Sequence, residues 1–275
     1  MGIMLFFFQY YWNILGDSII PIIQEIFETG SILMEWAITN IVLISKIAHP
    51  KYVTQFISLC NTLYKLVSRI IVQRLKLYLA EIINPYQAGF VPGRQTSDNI
   101  ILVEEIIHFL RKEKGLVGYL ALKLDLDKAY DSIEWNLIQD MLNYFHIHRT
   151  LKNLILNMIT STWFSILWHG SALPTFPPCR GIRQGDPLSP YLFILCLECL
   201  SILLNEATQR KLIQPMTFRD QLRISYLFFA DEIFLFVKAK QSGCQHLKDI
   251  LDNFCGWSSQ IISSHKSKKE NFPKY

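Results

Sequence analysis

The sequence predicts an α+β fold, on three observations. Two apolar, aromatic-rich runs flank an acidic pair in FFADEIFLF (228–236), which reads as two short strands meeting at a bend that carries Asp231 and Glu232. In GYLALKLDLDKAYDSIEW (118–135) leucines alternate at 120, 122, 124 and 126, giving a strand one leucine face and turning Lys123, Asp125 and Asp127 the other way. Residues 17–110, 136–160, 190–211 and about 241–257 read mainly as helices around these strands.

The opening MGIMLFFFQYYWNILG has no charge before Asp17, so it lacks the basic start of a signal peptide. Position 6 is Phe, against myristoylation of Gly2. This run and the one at 189–204, which Glu198 interrupts, are shorter than a bilayer span and are expected to be core helices. Asn84–Pro85 and Pro92–Gly93 break the helical region, and Gly115 and Gly118 turn the chain into the leucine strand. SILWHGSALPTF (165–176) reads as a hairpin. Ser189 and Pro190 suit the N-cap and first turn of the next helix. Before them, CRGIRQGD (179–186) is a loop in which Gly181 and Gly185 allow close backbone approach and Arg180 and Arg183 offer charge to phosphate.

At 275 residues and 51% hydrophobic, the chain can bury a large core as one domain or two joined subdomains. A net charge of +4 permits nucleic-acid binding without requiring it, since clustering decides; Lys266, Lys268 and Lys269 form the clearest basic cluster. Six cysteines in a chain of this length do not make a disulfide framework. Cys196 and Cys199 read as core thiols, because no second Cys or His pair completes a zinc site, and His146 and His148 have no matching partner pair. There are no tandem repeats or low-complexity linkers.

The acidic residues suggest chemistry. A lone aspartate at a strand end is usually a turn or cap residue. A paired acid at a hairpin tip with a third carboxylate on a neighbouring strand can hold two Mg²⁺ ions about 3.5–4 Å apart and direct phosphoryl transfer.

Taken together, ISLCNTLYKLVSRIIVQRL (57–75), NPYQAGFVPGRQTSDNI (84–100), KLDLDKAYDSIEW (123–135), RGIRQGDPLSPYLF (180–193), FFADEIFLF (228–236) and WSSQIISSHKSK (257–268) resemble, in order, the reverse transcriptase domain of non-long-terminal-repeat (LINE-type) retrotransposons, particularly those of plants. The resemblance runs from about Trp12 to Lys268. It implies right-hand polymerase fingers (1–118) and palm (119–268), a tail (269–275) and no thumb. By that resemblance Asp125, Asp231 and Glu232 are catalytic metal ligands for two Mg²⁺, or Mn²⁺. Lys266 assists the pyrophosphate leaving group, and Tyr130 stacks under the incoming sugar and excludes a 2′-hydroxyl. Gln184 and Gly185 support template and nucleotide, and Arg94 faces the triphosphate. Asp98, Asn99, Asp131 and Trp135 match the family but read as structural. The implied partners are an RNA template, a DNA primer and deoxynucleoside triphosphates, with no membrane and a nuclear or cytoplasmic, not secreted, location.

Three positions depart from the family's pattern. Glu232 stands where it has Asp, and a misplacement of ~1 Å can cost on the order of 100-fold in rate. QFISLCN (55–61) lacks an Arg-Pro pair after the Phe, and Ser45 replaces a Pro. With neither endonuclease, ribonuclease H nor thumb in the sequence, these departures imply an RNA-directed DNA polymerase domain of impaired activity. The alternative is a non-catalytic remnant that at most binds RNA or a partner protein. A group II intron maturase-like cofactor fits less well, since no maturase thumb region follows the palm.

Overall fold

Residues 2–42, 57–112, 118–218 and 222–272 are described by the computed structural model; Ser45, Gln55–Phe56 and Gly115 lie outside them. The chain forms two compact units, one from residues 1–74 and 142–189, the other from 75–141 and 190–275. Each unit is therefore built from two separate stretches of sequence, a division different from the expected 1–118, 119–268 and 269–275.

In the first unit, the helix Trp12–Thr29 ends at Gly30, whose positive φ of 70° lets its N–H return to the Ile26 carbonyl at 2.9 Å. The four-stranded sheet has the order Ile57–Cys60, Ile38–Val42, Trp163–Trp168, Ser171–Ala172. The last two strands make the expected hairpin, with Leu167 opposite Ala172. The first two were not expected inside a region read as helical. Ile38–Val42 is only five residues long and gains its parallel partner from 163–168, far along the chain. Residues 136–160 form two helices, Trp135–Tyr144 and Arg149–Thr160.

The loop before residue 189 supplies this unit with a buried cation. Arg183 is 6% exposed, and its guanidinium carbon lies 3.6 Å from the centroid of the Tyr64 ring. It also donates to Thr39 Oγ1 at 2.7 Å, while its own carbonyl accepts the Ser189 hydroxyl at 2.6 Å. Asp186, also buried, accepts the Leu188 N–H at 3.1 Å. Burial pushes the Asp186 carboxyl up, against the pull of Arg183. The expectation that Arg183 offers its charge to phosphate is corrected: its planar group is spent on a ring and on buried oxygens, and solvent hardly reaches it.

In the second unit, strand Tyr119–Asp127 runs through the middle of a sheet. Antiparallel Glu232–Lys238 lies on one side and Tyr226–Phe229 beyond it; Ile261–Ile262 and Lys268–Phe272 share the other side. Residues 269–272, expected as tail, thus belong to a strand. Leu120, Leu124 and Leu126 are buried as the alternation predicts, with Leu122 half-buried. Ala121 on the opposite face packs with Phe236, Phe229 and the helix Thr96–Lys112 through Val103, Ile106 and Leu110.

The helix Ser189–Gln209 is long and apolar enough to cross a membrane by length and composition, and most of it is buried within the protein, in line with the expected core helix. The N-terminal aromatic run differs. In the helix Gly2–Tyr10 and the start of the next, Phe6, Tyr10 and Ile14 are 71–81% exposed, and the aromatic contacts are local, such as Phe7 with Tyr11 at 4.9 Å.

Glu198, on the long apolar helix, is buried and accepts the Asn84 N–H at 3.1 Å. Burial raises its carboxyl from 4.5 to about 7, against that hydrogen bond and the Arg94 charge. Between about pH 4.5 and 7 the folded chain holds a proton that the unfolded chain has released, so stability falls as pH rises through that window. Thermal melts across it are expected to show a falling Tm for the natural sequence and a flatter profile for Glu198→Gln. Replacing Arg183 by Met strips Asp186 and Tyr64 of their cation and is expected to cost about 3–5 kcal/mol in urea unfolding. Lys at that position recovers little, lacking the planar fork.

Candidate active site

The carboxylates are assembled by strand register. Asp125 stands directly opposite Glu232, and Lys123 opposite Phe234, so all four share one face of the sheet. Phe229 pairs with Glu232, which closes a two-residue turn made by Ala230 and Asp231. Glu232 is therefore the first residue of its strand, not part of the bend.

Each outer carboxylate has a lysine. Lys123 Nζ lies 2.6 Å from Glu232 Oε1 and 5.4 Å from the centroid of the Phe234 ring. Lys266 Nζ lies 3.4 Å from Asp125 Oδ1. The loop that carries Lys266 also grips the Asp125 backbone: its N–H donates to Ser267 Oγ at 3.3 Å and its carbonyl accepts the Ser263 N–H at 2.9 Å. At the centre, the Asp231 carboxyl is raised above the ordinary aspartate value, first by burial and then by the neighbouring charges of Asp125 and Glu232.

Tyr130 stacks on Phe193, with ring centroids 5.2 Å apart and planes 24° from parallel. Burial, and secondarily the Asp231 charge, push its hydroxyl up to about 12, so it stays protonated at neutral pH. The second unit thus brings Asp125, Asp231, Glu232, Lys266 and Tyr130 to one end of the sheet.

Arg94 is in the same unit, but its guanidinium closes the end of the helix Thr62–Ile82. Nη1 donates to the carbonyls of Asn84 and Gln87 at 2.6 and 2.8 Å, and Nη2 to those of Ala80 and Ile83 at 3.1 and 2.8 Å. Gln184 and Gly185 belong to the first unit, exposed on the loop before the long helix, with Gly185 at a φ of 86°. Asn99 is structural as expected, its Nδ2 donating to the carbonyls of Tyr86 and Phe228 at 3.3 Å each.

Two residues near the carboxylates were not selected from sequence. Lys123 carried a signal, since the alternation places it on the face of Asp125. Gln87 carried none beyond its place in NPYQAGF, because its contacts depend on the fold.

Among the described residues no three His, Cys, Asp or Glu side chains already stand together as a metal cage. The chemistry of Asp125, Asp231 and Glu232 nevertheless fits a hard divalent cation, since they offer oxygen donors only and are partly exposed.

The second unit therefore combines a mainly antiparallel sheet with carboxylates on a hairpin and on the strand beside it, within a mixed helix-and-sheet fold. The sequence matches the family described as reverse transcriptase (RNA-dependent DNA polymerase) over residues 50–272, and the chain belongs to that family. Its relatives place it among the reverse transcriptase domains of non-long-terminal-repeat retrotransposons. It is 29% identical over 237 residues to the transposon TX1 149 kDa protein of Xenopus laevis, covering 85% of this chain and 18% of that protein. It is 30% identical over 189 residues to the Pol polyprotein of the R2DM element of Drosophila melanogaster, covering 66% of this chain and 17% of that protein. The chain thus spans about a fifth of each. Telomerase from Candida tropicalis, in complex with a fragment of telomeric RNA, shares the fold, with a TM-score of 0.55 over 94% of this chain and 44% of that one, at 14% identity. Reverse transcriptases generally use divalent metal ions and act on a nucleic-acid template.

Because Arg94 holds a helix end together, Arg94→Ala is expected to destabilise the ligand-free protein by about 2–3 kcal/mol, as for lost charged hydrogen bonds. A denaturant titration without nucleotide checks this; an arginine serving only the triphosphate would leave that curve unmoved.

Proposed function

We propose that this domain copies RNA into DNA by two-metal nucleotidyl transfer, taking an RNA template, a DNA primer and deoxynucleoside triphosphates. The observation that carries the reading is the placing of Asp231 on the turn next to the opposed pair Asp125 and Glu232. Asp125, Asp231 and Glu232 would hold two Mg²⁺ ions, or Mn²⁺. Ions held there would supply Lewis-acid activation of a primer 3′-hydroxyl and stabilisation of charge on the transferred phosphoryl group.

The chain's own residues supply the rest. Lys266, whose Nζ lies 3.4 Å from Asp125 Oδ1, would assist the departing pyrophosphate. Tyr130, fixed flat on Phe193, supports the incoming sugar and selects against a 2′-hydroxyl. Gln184 and Gly185 support template and nucleotide from their exposed loop. Arg94 acts on the triphosphate chiefly by fixing the segment 84–94, since its donors already serve carbonyls there. In this reading the unit of residues 75–141 and 190–275 serves as palm and the other as fingers.

A specific observation favours a second reading, a non-catalytic remnant that binds RNA. Glu232 replaces the family's aspartate and is paired with Lys123 at 2.6 Å, a cation that an arriving metal ion would have to displace. Primer extension on a primed RNA template separates the two. Asp125→Ala and Asp231→Ala are each expected to abolish synthesis, and Glu232→Asp to raise it up to about 100-fold by shortening the ligand. Synthesis unchanged by both alanines would defeat the mechanism. Salt-sensitive RNA binding without synthesis, in the natural chain and in Glu232→Asp alike, would establish the remnant.

A further inference from the structure

The turn that carries Asp231 is held from outside its own hairpin. Gln87 is 1% exposed, and its Oε1 accepts two backbone N–H groups, Gly89 at 2.9 Å and Ala230 at 3.2 Å. Two donors on one atom fix which way the amide faces. Its Nε2 then has no hydrogen-bond partner among the described residues, an unfavourable state for a buried donor. Backbone bonds bring the segments together, with Phe228 N–H on the Tyr86 carbonyl at 2.9 Å and Ala88 N–H on the Phe228 carbonyl at 3.1 Å.

The approach is close. A Cβ on Gly89 would stand 2.6 Å from the Ala230 nitrogen, so only glycine fits there. Ala230 itself has a φ of 53°, a conformation that a residue with a Cβ adopts at a cost. Asp231 follows it directly, so the torsion at Ala230 aims the next carboxylate.

We propose that Gln87 is the positioning residue of this turn: its side-chain oxygen holds Ala230 at positive φ and thereby sets the direction of Asp231 relative to Asp125. The site's being catalytic rests on the polymerase reading; the positioning does not.

A double-mutant cycle of Gln87→Leu and Ala230→Gly tests it, with thermal melts, exchange of the Ala230 amide proton and Mn²⁺ titration as readouts. Gln87→Leu is expected to lower Tm, to speed exchange at Ala230 at least about tenfold, and to weaken Mn²⁺ binding roughly 10- to 100-fold, the range for residues that orient metal ligands. Glycine takes positive φ without help, so Ala230→Gly should restore Tm and Mn²⁺ affinity in the Gln87→Leu background and change little on its own. An equal effect of Ala230→Gly in both backgrounds, or a lower Tm with unchanged Mn²⁺ affinity, overturns the proposal.

Gln87→Glu keeps an acceptor oxygen in place and decides the matter if the leucine variant does not fold. Retained protection of the Ala230 amide supports the proposal, and its loss overturns it. If the natural chain binds no Mn²⁺, the two-metal reading fails, while the melts and the exchange rates still decide the role of Gln87.

Discussion

The register between Tyr119–Asp127 and Glu232–Lys238 is the constraint on which the site depends. Side chains alternate with a period of two, so a slip of one residue would put Asp125 among the buried leucines and Leu124 in its place. The leucine face and the functional face therefore specify one another: burying Leu120, Leu124 and Leu126 presents Lys123 and Asp125 opposite Phe234 and Glu232. The same face changes character along its length. Around Ala121 and Phe236 it is covered by Thr96–Lys112; at Asp125 and Glu232 the side chains are 20% and 41% exposed. One strand pair thus serves as core at one end and as a site at the other.

Charge is handled differently in the two units. In the first, Arg183 is taken almost wholly out of water, and ring stacking and buried oxygens replace its hydration. In the second, the charges stay near solvent and are balanced in pairs, Lys123 with Glu232 and Lys266 with Asp125, while Asp231 bears the repulsion of both acids. The first arrangement is suited to holding a shape. The second is suited to exchanging partners, because half-exposed ion pairs are weak enough to give way to another cation.

Much of this was legible in the sequence where one strand or helix carries its own signal. The alternating leucines fixed the inner strand, the paired apolar runs fixed the hairpin, and the apolar stretch after Ser189, broken only by Glu198 as a charged residue up to Leu204, fixed the core helix. What stayed hidden is whatever depends on distant partners. Ile38–Val42 is a strand because Trp163–Trp168 lies beside it, and its five residues are too few to show a period. Arg183 reads as a phosphate ligand in a Gly-rich loop until Tyr64 is seen beneath it. Nothing in NPYQAGF tells that its glutamine reaches Ala230, over a hundred residues on.

The central strand has a further consequence for how the protein is made. Among the described residues, Tyr119–Asp127 finds its strand neighbours in residues 232–238, 261–262 and 268–272. At about 5–20 residues per second, a ribosome takes several seconds or more to deliver the first of them. During that interval the strand waits with both edges bare, and the apolar helix Ser189–Gln209 is synthesised before the strands of its own unit can pair. Bare strand edges are templates for pairing with another chain, so translational pauses between residues 127 and 232 would prolong the exposure to aggregation.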